Sequence, residues 1–61
     1  MAKHIVNVGG YDHEINVIRL SKTVWLATGI FMDETLREKG RSEESAARKW
    51  AELANYLKRA S

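Results

Sequence analysis

Between Gly40 and Arg59 the apolar residues recur with the period of an α-helix, and this stretch limits what the rest of the chain can become. Ala46, Trp50, Leu53, Ala54 and Leu57 fall at i, i+4, i+7, i+8 and i+11, one stripe of a 3.6-residue helix. Glu44, Arg48, Lys49, Glu52, Asn55, Lys58 and Arg59 occupy most of the remaining circumference. Ser42 suits the N-cap, because its hydroxyl accepts from an orphan amide of the first turn, and Gly40 is expected to let the chain bend into the helix. Glu43 and Glu44 then lie at the positive end of the helix dipole, and Lys58 and Arg59 at the negative end. Glu44 and Arg48 add an i,i+4 pair of about 0.2–0.5 kcal/mol. A helix with one apolar stripe needs a surface to lie on.

The upstream sequence supplies strands. Lys3 to Val8 is a short first strand with Ile5, Val6 and Val8, and it ends at Gly9-Gly10, a strong turn signal. From Tyr11 to Leu20, Tyr11, His13, Ile15 and Val17 share one parity while Asp12, Glu14 and Asn16 share the other, as in a half-buried strand. Ser21-Lys22 is the expected reversal. Thr23 to Met32 is the most β-prone segment. One of its faces carries Trp25, Ala27, Gly29 and Phe31, small in the middle, where Ala46, Trp50 and Leu53 have room to seat. The other carries Val24, Leu26, Thr28, Ile30 and Met32, and periodicity alone does not choose between the two faces. Asp33-Glu34 reads as a polar turn. Thr35 to Lys39 is either a fourth strand with Leu36 inward or an extended lead-in to the helix.

The expected fold is therefore α+β: a sequentially connected antiparallel meander of three or four strands, with one C-terminal helix packed on one face. Residues 1–61 make one domain, and a chain this short buries only roughly 60% of its unfolded surface. There is no cysteine, so neither a disulfide nor a thiolate metal site is available. No apolar run approaches the ~18 residues that span a bilayer, and Met-Ala-Lys-His lacks the apolar core of a secretory signal. The expectation is a cytoplasmic protein, intact from Met1.

The chemistry-bearing residues do not form a catalytic set. His13 and Glu14 are strand neighbours that point to opposite faces. His4 and His13 are able to meet across a hairpin, but no third metal ligand accompanies them. Gly9-Gly10 is a turn, since neither GxGxxG nor GxxxxGK is present. The reading is of a protein that is not an enzyme and uses no cofactor or metal. Arg37, Lys39, Arg41 and Arg48 form the densest basic group, placed where helix amides also attract anions. Glu38, Glu43 and Glu44 lie among them and oppose that potential, and a net charge of +2 permits nucleic-acid contact without arguing for it.

The segment Gly40-Arg41-Ser42-Glu43-Glu44-Ser45-Ala46-Ala47, after a β-meander and opening a helix, resembles the last part of a double-stranded-RNA-binding domain. It is also similar to the strand-to-helix junction of HicB-type antitoxins. The pattern of Trp25, Ala27 and Gly29 followed by Trp50 further resembles that of small bacterial proteins for which no activity is implied. The RNA-binding pattern has lysines where this chain has Glu43, Glu44 and Ala47, and an additional N-terminal helix, so that resemblance implies a βββα architecture and no RNA-binding residues. The HicB-type resemblance implies dimerisation and toxin masking.

One helix covers one face of a sheet, and the third strand is apolar on both parities. The sequence therefore points to a binding module that self-associates or docks a protein through the uncovered face, with Val24, Leu26, Ile30 and Met32 as interface candidates. The alternative is a nucleic-acid-binding module using Arg37, Lys39, Arg41 and Arg48. No membrane partner is expected.

Overall fold

The structure is a computed structural model that describes residues 2–60. Four strands, β1 (Ala2–Val8), β2 (Tyr11–Ser21), β3 (Val24–Phe31) and β4 (Glu34–Gly40), precede a single helix, α1 (Glu43–Ala60). The strands form one antiparallel sheet in the order β1-β2-β3-β4. Thr35 to Lys39 is thus strand, within a β4 one residue longer at each end.

Register follows from the turns. Gly9 and Gly10 both take positive φ, +59° and +91°, so a two-residue loop joins Val8 to its partner Tyr11. The β3–β4 loop is Met32-Asp33, with φ of 52° and 66°, and it closes on Phe31↔Glu34. The expected turn at Asp33-Glu34 is one residue too late: Glu34 begins β4, and Met32 leaves the strand for the loop. The β2–β3 reversal falls at Lys22-Thr23, not Ser21-Lys22, because the register shifts between Arg19 and Ser21, and Leu20 is the extra residue of that bulge.

Helix α1 opens at Glu43 with Ser42 as its N-cap: the Ser45 amide donates to Ser42 Oγ at 3.1 Å, and the Ala46 amide donates to the Ser42 carbonyl at 3.0 Å. Gly40 contributes differently from expectation. It is the last residue of β4, it is buried, and its φ is not positive. A Cβ there would lie against the Ala46 backbone nitrogen and 2.8 Å from Ala46 Cα. Close approach of strand to helix, not chain bending, requires the glycine.

The core lies between α1 and one sheet face. Val8, Ile15, Val17, Ala27, Phe31 and Leu36 from the strands meet Ala46, Ala47, Trp50 and Ala54 from the helix. Trp50 is completely buried. It sits over Gly29, where a Cβ would come 2.9 Å from Trp50 Cζ2 and 2.7 Å from Ile15 Cγ2. The helix therefore covers the face bearing Trp25, Ala27, Gly29 and Phe31, and Val6, Trp25, Ala51, Leu53 and Leu57 pack around the core. No helix among the described residues is long and apolar enough to cross a membrane.

Candidate functional site

Strand alternation sends every second side chain to the face that α1 leaves open. The register aligns Lys3 with Asn16, Asn16 with Thr28, and Thr28 with Arg37, a polar row across all four strands. Ile18, Leu26 and Lys39 form a second row, and Ile5 stands beside Glu14. Ile30 is 73% exposed and Ile5 69%, while Ile18 and Leu26 are half-buried among their neighbours. Lys3 and Glu14 form an exposed ion pair at 3.5 Å.

The interface candidates divide. Leu26 and Ile30 lie on the open face. Val24, half-buried at the start of β3, lines a shallow groove at the sheet's end with Lys39, Gly40, Arg41 and Lys49. Met32 does not belong with them. Its place in a positive-φ loop turns it away from the strand alternation, and it borders a groove of about 600 Å³ with Val8, Tyr11, His13, Phe31 and Lys58. In that groove the Lys58 ammonium lies 5.2 Å over the Tyr11 ring and donates to the Gly9 carbonyl at 3.3 Å.

The basic group divides too. Arg37 and Lys39 project from the open face of edge strand β4, whereas Glu38 takes the opposite parity and faces the helix side opposite Ala27. Its carboxylate is therefore separated from Arg37 and Lys39 by the sheet, which contiguous charges in a sequence do not reveal. Arg41 lies in the link to α1, and Arg48 is exposed on the helix. Lys49, not Arg48, shares the groove with Lys39 and Arg41.

Both histidines face the helix, but they do not pair with each other: His4 is opposite Ile15 and His13 opposite Val6. His4 Nε2 lies 2.6 Å from Glu43 Oε1, joining β1 to the first turn of α1. His13 stands edge-on to Phe31, with ring centroids 5.4 Å apart, and tilts against Trp50 at 6.5 Å. Among the described residues, no three His, Cys, Asp or Glu side chains come together as a metal set.

The staple at the first hairpin tip has no signature in the sequence. The Gly9 amide donates to Asn55 Oδ1 at 3.1 Å, the Asn55 amide group donates to the Ala51 carbonyl at 2.9 Å, and the Gly10 amide donates to Asn7 Oδ1 at 3.1 Å. Of these, the Gly9–Asn55 bond joins residues far apart in the chain, and the other two are local.

Comparison with known proteins finds no matching family model, curated relative or solved structure.

Proposed function

We propose that this chain is a non-enzymatic binding module that self-associates or docks a protein through the sheet face opposite α1. The observation that carries the reading is the position of Ile5 and Ile30. Both are large, aliphatic and more than two-thirds exposed, and both stand on the face left bare by the single helix, with Ile18 and Leu26 half-buried on the same face. Covering such side chains is favourable by about 25 cal/mol per Å² of apolar surface removed from water. Multi-angle light scattering over a concentration series tests self-association: growth of mass with concentration, reversed by Ile5→Glu, supports it. A strict monomer at high concentration removes it.

A second reading is contact with nucleic acid through the same face. It draws on the segregation of β4, which presents Arg37 and Lys39 together and turns Glu38 away. Lys3 ends the polar row that Arg37 begins, although Asp12 and Glu14 share the face and reduce its potential. Phosphate contact predicts affinity for duplex that falls steeply with salt and collapses on Arg37→Glu. Undetectable binding, or binding indifferent to salt, sinks this reading.

A further inference from the structure

We infer that the chain pairs with a second copy of itself through the outer edge of β1, in a register centred on Ile5. This rests on the self-associating reading above and moves the contact from the open face itself to the edge strand that borders it.

The inference starts from backbone parity. The two-residue Gly9-Gly10 loop makes Val8↔Tyr11 a hydrogen-bonded pair, and such pairs alternate along an antiparallel ladder. Val8, Val6 and His4 thus direct their amides and carbonyls to β2, and Asn7, Ile5 and Lys3 direct theirs outward. Strand β1 ends the sheet. Among the described residues, no backbone hydrogen bond outside the helix and the ladders reaches it, since that between Ala46 and Ser42 is the only one.

Ile5 is the middle residue of the seven-residue strand and the middle one of the three outward-facing residues. A two-fold axis perpendicular to the sheet at Ile5 places Ile5 opposite its own image and Lys3 opposite Asn7 of the other copy. Each outward amide and carbonyl then meets a partner. On the open face the two Ile5 side chains touch. Lys3 approaches Asn7 of the other copy, with that copy's Asp12 directly behind it, because Asn7 is paired with Asp12. Opposite charges converge at both ends of the contact. Both helices stay on one side, and the two open faces become one.

The other edge lacks this option. Its loop closes on Phe31↔Glu34, so the outward backbone groups of β4 belong to Thr35, Arg37 and Lys39. Arg37 is the middle of that seven-residue strand, and the same two-fold operation sets Arg37 against Arg37. Pairing β1 with β4 in antiparallel register, Ile5 against Arg37, sets Lys3 against Lys39. Like charges directly opposite are destabilising, and charge on an edge strand is how sheets resist further pairing. One edge pairs and the other ends the assembly, which gives a closed dimer, not a fibre.

The test uses single-cysteine variants of the intact chain, which has no cysteine of its own. Across a hydrogen-bonded pair the Cα atoms lie ~5.5 Å apart, within the disulfide range. Ile5→Cys should cross-link to a dimer under mild oxidation, while the equally exposed Ile30→Cys, on the same face but away from the edge, should stay monomeric. Cross-linking of Ile30→Cys without Ile5→Cys overturns edge pairing while leaving association through the open face intact. A monomer at every concentration by sedimentation overturns both. Ile5→Pro deletes an outward amide and no β1–β2 ladder bond, and Ile5→Lys places two ammonium groups at the axis. Each should weaken the dimer at least roughly tenfold with the far-ultraviolet spectrum unchanged, and a dimer that survives both overturns the inference.

Discussion

The indole Nε1 of Trp50 donates to the main-chain carbonyl of Leu36 at 3.1 Å, inside the core. Trp50 is the largest fully buried side chain, and this bond satisfies its only polar group without water. It also sets the helix relative to β4. Trp50→Phe removes the bond and part of the ring volume, and should cost about 2 kcal/mol in urea unfolding. A loss below about 0.5 kcal/mol would show that the bond contributes little beyond packing.

Gly40 and Gly10 separate two reasons for a glycine. At Gly40 an added methyl meets the Ala46 backbone, which moves only if the start of the helix moves. At Gly10 an added methyl meets nothing within 4 Å, and only the φ of +91° opposes it. Gly40→Ala should therefore destabilise by about 2 kcal/mol or more and Gly10→Ala by about 1 kcal/mol, measured by denaturant titration. Equal effects would contradict the close-approach account.

The Met32-Asp33 loop holds two non-glycine residues at positive φ. Asn-Gly is the pair best suited to this type of turn. Replacing Met32→Asn together with Asp33→Gly should stabilise by about 1 kcal/mol and raise Tm by roughly 5 °C. An unchanged or lower Tm would mean that the packing of Met32 beside Phe31 is worth more than the backbone strain.

Ser42 carries the first turn of α1 through its hydroxyl. Ser42→Ala should cost about 1 kcal/mol, and Ser42→Asp, which retains an acceptor, should stay close to the parent. If thermal unfolding shows Asp as damaging as Ala, the repulsion from Glu43 and Glu44 outweighs the cap.

Much of this fold was legible from local rules. The stripe of Ala46, Trp50, Leu53, Ala54 and Leu57 is helical because 3.6-residue spacing leaves no alternative, and Gly9-Gly10 forms a hairpin loop because glycine takes positive φ without cost. Met32 was not legible as a loop residue, since methionine does not favour positive φ and the strand pattern runs smoothly through it, whereas Asp33, which tolerates positive φ, already read as turn. The open face was harder still. Leu26 and Ile30 reach it as strand parity requires, but Ile5 joins them only through the register of β1 on β2, a relationship between segments that no local pattern contains.

The sequence by itself determined the first three strands, the helix and their sequential connection, because periodicity and capping act within a few residues, and it left Thr35 to Lys39 open between a fourth strand and a lead-in. Only the tertiary structure decided which face of the sheet α1 covers. Strand β3 is apolar at both parities, so hydrophobic pattern cannot choose. Clearance chooses: Gly29 admits the Trp50 ring and Gly40 admits the Ala46 backbone, and both glycines lie on the face that bears Ala27. The same packing leaves Ile5 and Ile30 in solvent and Arg37 apart from Glu38, the arrangement on which the proposed binding surface depends.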